Sequence, residues 1–434
     1  MAHVPADVAL TKPVEKTHPD NLPDANDPND IVAALQELSD KSEQEDDVRK
    51  SMHAPMHQLW TIPFIHKLIP GLEKLASQYH VGNFVIVRST GEKIFESMPV
   101  YPRLGMHLMF YGGTQIKLLH NHTVESILKD LSIRQGKVYD SPESVKSIPS
   151  FIQTYSISLD ELEQPDITKY KCFNDFFSRK LRPGMRPVQD ADDPLGFCSA
   201  ADSRLTVYPT VDAAKQFWVK GNNFSIASLL GVEPGSDQAR MFEGGSVAIF
   251  RLAPQDYHRF HSPIDGVVGD VHDIPGQYYT VNPQAVNESG FDVFTENRRA
   301  IQYMKHSQSN APIAFVAVGA MLVGSIIWTA GKGAAVKRGD ELGYFAYGGS
   351  TVVVLFPKSL IQFDDDLSKN SDVPIETLVK VGESIGHSVL PTAGFSPASV
   401  LRGGDIRSSR RSSVAKAGGG WDVWGSVSSK CTVL

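Results

Sequence analysis

Cysteine is scarce: Cys172, Cys198 and Cys431 are the three in 434 residues, too few and too far apart for a disulfide framework or a structural zinc site. That usage suits a reducing compartment. Positive charge is not in excess either. The formal net charge is -7, and no basic stripe interleaved with aromatics offsets it, which argues against nucleic acid as a main partner. The opening MAHVPADVALTKPVEK lacks the charged start and apolar core of a secretory signal, so the sequons at Asn121, Asn223 and Asn287 are expected to stay unglycosylated. No solenoid period recurs.

What is present is ordinary globular material, 41% hydrophobic and 21% charged, in a chain long enough for two to three domains' worth of core. One uncharged run, Ala311 to Ala330, is long enough to cross a bilayer. Gly319 and Gly324 interrupt it and β-branched residues dominate it, so a pair of buried strands is expected.

Texture divides the chain into four parts. Residues 1–50 are polar, Pro-containing and acidic at their end (KSEQEDDVRK) and are expected to be a disordered tail. Residues 51–195 read as mainly helical: Val124, Ile127, Leu128 and Leu131 repeat at helical spacing, and Ser141 before Pro142 is a start signal. Residues 196–395 consist of short apolar runs such as SVAIFRL, PIAFVAV and STVVVLF between Gly, Pro and Asp turns, the mark of a mainly β domain. Two of its segments, SPIDGVVGDVHDIPG and GAAVKRGDELGYF, read like barrel-sandwich hairpins. Residues 396–434, rich in Ser, Gly and Arg, are expected to be a flexible basic tail. The expected class is α+β, a helical N-terminal part packed on a mainly antiparallel β domain.

Candidate chemistry gathers in the β-rich part. In YGGSTVVVLF, Ser350 stands at the mouth of a strand behind two glycines. FCSAADSRL supplies Asp202, and LAPQDYHRFHSPIDG supplies His258 and His261, three residues apart. An Asp, a His and a Ser in that order suit a base-activated nucleophile. Alone, a histidine in a β protein is more often a hydrogen-bonded core or surface residue and an Asp beside Ser more often a turn former, and Ser350 by itself could simply start a strand; the joint pattern is what raises the catalytic reading.

Taken together, GMHLMFYGG, FNDFFSRKLRPGMRPV, SAADSRL, KGNNFSIASLLG, RLAPQDYHRFHSPIDG, VGSI and KRGDELGYFAYGGST resemble the phosphatidylserine decarboxylase family over roughly residues 100–360, in particular its non-mitochondrial, fungal-like branch. The resemblance implies a pyruvoyl-dependent enzyme that turns phosphatidylserine into phosphatidylethanolamine and carbon dioxide. It implies that the Gly349–Ser350 bond is cut by the serine's own hydroxyl, splitting the precursor into large and small chains and leaving Ser350 as a pyruvoyl group. Gly348 and Gly349, without Cβ atoms, would permit the strained backbone this requires. His261 would be the base, Asp202 would orient it, and His258 would return a proton to the substrate. No metal is implied. The implied partners are a phosphatidylserine-containing membrane and the two chains themselves, with a homodimer compatible.

Gly-Gly-Ser-Thr replaces the Leu-Gly-Ser-Thr usual in the bacterial enzymes, which leaves a free amino acid, aromatic ones included, as an alternative substrate. The terminal Cys431-Thr432-Val433-Leu434 fits a prenylation box, and Arg402, Arg407, Arg410, Arg411 and Lys416 precede it. The expected site of action is the cytosolic face of an internal membrane. Two rival readings remain, a serine hydrolase using Asp202, His261 and Ser350, and a carrier or scaffold. The hydrolase would place its serine in a nucleophile elbow, whereas Ser350 runs straight into strand-forming sequence.

Overall fold

The computed structural model describes residues 82–97, 133, 136–217, 224–279, 281, 286, 292–320, 325–346, 350–373 and 375–389. Both expected tails lie outside them, as do the helical spacing at 124–131, the pair Gly348 and Gly349, and Cys431.

Strands dominate the described chain, with short helices between them. β1 (Gly82–Val87) and β2 (Glu92–Ser97) are followed by β3 (Gly196–Cys198), β4 (Ser203–Tyr208), β5 (Ser246–Leu252), β6 (Arg259–His261) and β7 (Gly266–Ile274). Next come β8 (Arg299–His306), β9 (Pro312–Val318), β10 (Ile326–Trp328), β11 (Ala335–Val336), β12 (Glu341–Phe345) and β13 (Ser350–Phe356). β14 (Ile361–Phe363), β15 (Glu376–Val379) and β16 (Ser384–Ser388) complete the set.

A ten-stranded sheet in the order β11-β7-β8-β9-β13-β5-β4-β15-β1-β2 is joined by two three-stranded sheets, β10-β12-β6 and β14-β16-β3. Neighbours in the large sheet are antiparallel except β1 and β15, which run parallel. The fold is therefore α+β with large antiparallel sheets and few helices. β13 lies inside the large sheet between β9 and β5, and all seven of its residues are buried. Its five apolar side chains, Val352 to Phe356, stabilise the fold by roughly 7–15 kcal/mol at about 1.5–3 kcal/mol each. That exceeds the cost of an unsatisfied hydroxyl, about 1–3 kcal/mol, so the strand can carry one at its first residue.

The stretch expected to be mainly helical contains an antiparallel hairpin, β1 and β2, at the edge of the large sheet. GNFVIV is β-branched at Val85, Ile86 and Val87, and the turn after it closes through Gly91, whose φ of 69° suits glycine. Helical structure does follow: Pro142 opens the 3-10 turn Pro142–Ser147, which leads into the helix Ile148–Tyr155. With the short helix Phe173–Phe177 these segments enclose a second core of Tyr139, Phe151, Phe173, Phe176 and Phe177.

The uncharged run Ala311–Ala330 supplies two strands, as expected, but they do not pair with each other. β9 lies in the large sheet between β8 and β13, and β10 pairs with β12 in a small one. β9 is buried at six of its seven residues, which is why the sequence there reads as continuously apolar. Among the described residues no helix is long and apolar enough to cross a membrane.

The two Gly-Asp segments lie side by side. β11 pairs with β7, and beyond that pair Gly339 N–H donates to the Ser262 carbonyl at 2.8 Å while Ser262 N–H donates to the Asp340 carbonyl at 2.7 Å. This junction brings the Gly339 turn against His261.

Candidate active site

Ser350 opens β13 opposite Leu252, the last residue of β5. It is fully buried, and its Oγ has no hydrogen-bond partner among the described residues. The chain reaches it from the small sheet, where Phe345 N–H donates to the His258 carbonyl at 3.0 Å and Ala346 N–H to the Ser325 carbonyl at 3.0 Å. From β5 the chain makes the corresponding crossing in residues 253–258, arriving at His258 just before β6. The crossing 253–258 thus carries the first histidine, and the strand bonded to it, β12, ends five residues before the serine in sequence.

His258 is fully buried, with its Nδ1 2.9 Å from the Asp256 carbonyl. A carbonyl only accepts, so Nδ1 bears the proton and Nε2 is the exchangeable position. The ring centroid lies 4.0 Å from that of Phe177, which fixes the ring from the second core. The turn ahead of it is held from two sides. Arg179 donates to the Gln255 and Asp256 carbonyls at 3.0 Å each, and Asp256 accepts from Ala253 N–H at 2.6 Å while its carboxylate pairs with Arg204. Burial pushes the Asp256 carboxyl up to about 6, against the pull of Arg204. Arg204 in turn pairs with Glu96 on β2.

His261 stands on β6, 9% exposed. Its Nδ1 donates to the Gly339 carbonyl at 2.7 Å, so its Nε2 carries the lone pair, 3.1 Å from the Tyr257 hydroxyl. Burial lowers its pKa below the ordinary imidazole value, more than the Gly339 carbonyl, Glu341 and Asp202 raise it. The ring is therefore neutral at pH 7, the state a general base requires. Gly339 has a φ of +81°, and a Cβ there would stand 2.7 Å from Val188 Cγ2, so the carbonyl that fixes the tautomer sits on a turn that only glycine fits.

The structure places Asp202 near His261 but in other hands. Its carboxylate receives Arg186 Nε at 3.0 Å on each oxygen, Arg186 Nη2 at 2.7 Å and the Val381 N–H at 2.9 Å. Arg186 also pairs with Glu161 at 2.8 Å. The tautomer-fixing contact belongs to the Gly339 carbonyl, while Asp202 reaches the ring through its field. Arg186, Gly339 and Tyr257 were not singled out from sequence. Of the three, Tyr257 left the plainest signal, four residues before His261 in YHRFH.

Asp202→Ala leaves the mostly covered Arg186 with Glu161 as its one remaining carboxylate among the described residues, and in an uncut Ser350→Ala background it is expected to lower stability by about 3 kcal/mol, the cost of breaking a largely buried pair. Asp202→Asn, which keeps an oxygen for Val381 N–H, is expected to cost about half as much. Denaturant titration measures both. A midpoint unchanged by either substitution would mean that Asp202 has no structural share in the site.

A family model described as phosphatidylserine decarboxylase matches residues 173–387, a span that holds Asp202, His258, His261 and Ser350. The chain is similar to "Phosphatidylserine decarboxylase proenzyme 3" of Schizosaccharomyces pombe, 44% identical over 332 residues, covering 76% of this chain and 34% of that protein. It is 43% identical over 321 residues to "Phosphatidylserine decarboxylase proenzyme 2" of Oryza sativa, covering 73% of this chain and 50% of that protein. It is 33% identical over 302 residues to "Phosphatidylserine decarboxylase proenzyme" of Fusobacterium nucleatum, covering 70% of this chain and 96% of that protein. The chain thus spans about a third of the fungal relative, half of the plant one and nearly all of the bacterial one.

Proposed function

We propose a function from one premise: the chain belongs to the phosphatidylserine decarboxylase family. The protein is a proenzyme that cuts its own Gly349–Ser350 bond and then decarboxylates phosphatidylserine to phosphatidylethanolamine. The observation that carries this reading is the fully buried Ser350 hydroxyl, without a hydrogen-bond partner among the described residues, at the mouth of an internal strand. Buried hydroxyls are ordinarily hydrogen-bonded, and one left without a partner is free to attack.

Self-cleavage uses the chain's own groups. His261 takes the Ser350 Oγ proton, Oγ attacks the Gly349 carbonyl carbon, and the carbon–nitrogen bond breaks to leave an ester and a free amine. Loss of the Ser350 α-proton then expels the Gly349 carboxylate, and the resulting enamine rearranges and exchanges its nitrogen for the oxygen of water, releasing ammonia. Ser350 suits the pyruvoyl group it is to become. The side chain ends as a methyl where its hydroxyl has no partner among the described residues, which relieves a penalty of about 1–3 kcal/mol.

Once formed, the pyruvoyl carbonyl supplies the electron sink for loss of carbon dioxide. His258, its Nδ1 proton fixed on the Asp256 carbonyl, has Nε2 left as the position that takes up a proton and returns it to the substrate carbon. The small chain stays in place after cutting. β13 lies between β9 and β5, and β15 between β4 and β1, so both remain paired to strands of the large chain. The substrate is a bilayer lipid, so the mature enzyme works at a phosphatidylserine-containing membrane.

Purified, processed protein is expected to release carbon dioxide from phosphatidylserine vesicles and to ignore free serine and free tryptophan. Release from a free amino acid alone would overturn the lipid assignment.

A further inference from the structure

Asp256 joins the strand beside Ser350 to the first histidine through two of its own groups. Its carboxylate oxygen Oδ2 accepts from Ala253 N–H at 2.6 Å and pairs with Arg204, which is buried on β4. Its backbone carbonyl accepts from His258 Nδ1 at 2.9 Å. Ala253 follows Leu252, the residue of β5 that stands in register with Ser350. Arg204 is in register with Arg251 of β5, and Arg251 with Thr351 of β13, so both anchors of the carboxylate belong to the strands that flank the serine's end of β13. Arg179 also donates to the Asp256 carbonyl, at 3.0 Å, and Phe177 packs on the ring, but residues 177–179 belong to no strand of the large sheet. The carboxylate therefore ties the histidine's turn to the strand facing Ser350.

We propose that Asp256 is a positioning residue of the decarboxylation step, holding His258 at a fixed place relative to residue 350 so that its proton reaches the substrate carbon. Without the carboxylate the turn 253–256 is free to shift against β5, and the ring bonded to its carbonyl shifts with it. The hold depends on charge. Burial opposes the ionised carboxyl most, Arg204 favours it, and Glu96 on β2, which shares Arg204, opposes it. Arg179 faces it as a further cation, while Arg251 beyond Arg204 is paired with Glu376. Their balance leaves the carboxyl at about 6, so the hold is complete above that pH and weakens as pH falls through it.

The inference rests on the decarboxylase reading above, and the full chain, purified after processing and supplied with phosphatidylserine vesicles, tests it. Asp256→Ala is expected to be cut into two chains, because His261 is anchored on Gly339, but to lose about 100-fold in kcat at unchanged KM, the cost of a misplacement of about 1 Å. Asp256→Asn keeps an oxygen for Ala253 N–H and is expected to lose about 10-fold, since neutral hydrogen bonds are roughly half as strong as charge-assisted ones. The ratio of wild-type to Asp256→Asn kcat is expected to shrink to one as pH falls through about 6, where the wild type loses the same charge. A second readout follows the misplaced proton. When it arrives on the cofactor's carbonyl carbon instead of the substrate carbon, water releases the lipid as an aldehyde and the substrate nitrogen stays behind. The small chain of Asp256→Ala is then expected to begin with alanine after prolonged turnover and to open to amino-terminal sequencing. Wild-type kcat in Asp256→Ala, a small chain that stays blocked, or a ratio that does not change with pH would overturn the positioning role. So would an uncut Asp256→Asn, which would assign the residue to self-cleavage. Wild-type protein that releases no carbon dioxide from the vesicles would overturn the decarboxylase reading instead.

Discussion

Ser350→Ala is expected to persist as a single chain with no decarboxylase activity, whatever the expression time. The substitution removes the oxygen that attacks the Gly349 carbonyl carbon and that must leave with its carboxylate before a pyruvoyl group can form, so the loss is complete. It should not disturb the fold. The deleted hydroxyl has no hydrogen-bond partner among the described residues, and removing an unsatisfied buried polar group leaves stability within about 1 kcal/mol or raises it. Electrophoresis under denaturing conditions and a thermal melt check both halves. An uncut chain that also melts far below the wild type would mean that the hydroxyl has a structural partner.

The second large effect separates the two histidines. His258→Gln is expected to yield two chains, as in the wild type, but to release carbon dioxide at least 100-fold more slowly, because the proton returned to the substrate carbon is missing. His261→Gln is expected to do the reverse and accumulate precursor, because the base for Oγ is gone. Glutamine keeps a donor for the Asp256 or Gly339 carbonyl, so neither site loses its anchor. Chain composition by electrophoresis and carbon dioxide release, measured on the same preparations, decide the assignment. Uncut His258→Gln, or fully cut His261→Gln, would exchange or abolish the roles.

The serine and both histidines were legible in the sequence because side-chain chemistry leaves a motif, GGST before a β-branched run and two histidines three apart in YHRFH. What holds them was not. The acceptor that fixes His261 is a backbone carbonyl at Gly339, 78 residues away, and a carbonyl has no letter in the sequence. Asp202 was recognisable, but its partner Arg186 lies 16 residues back in a run with several other basic residues, any of which could have served. Strand content was readable from β-branching, whereas sheet membership was not. Ala311–Ala330 gave two strands, and their separation into different sheets depends on distant partners, β13 for one and β12 for the other. The β1–β2 hairpin was not legible because GNFVIV and EKIFES are only six residues each and lack a clean alternation, while the start signal at Ser141 and Pro142 on their C-terminal side points to helix.

The central claim is that Ser350 consumes itself, and the most direct measurement is the intact mass of the purified wild-type protein under denaturing conditions. Two chains are expected, the larger ending at Gly349 and the smaller starting at residue 350, lighter by one ammonia than a serine-initiated chain and blocked to amino-terminal sequencing. A single chain of full mass, or a small chain that begins with an intact serine, would contradict it.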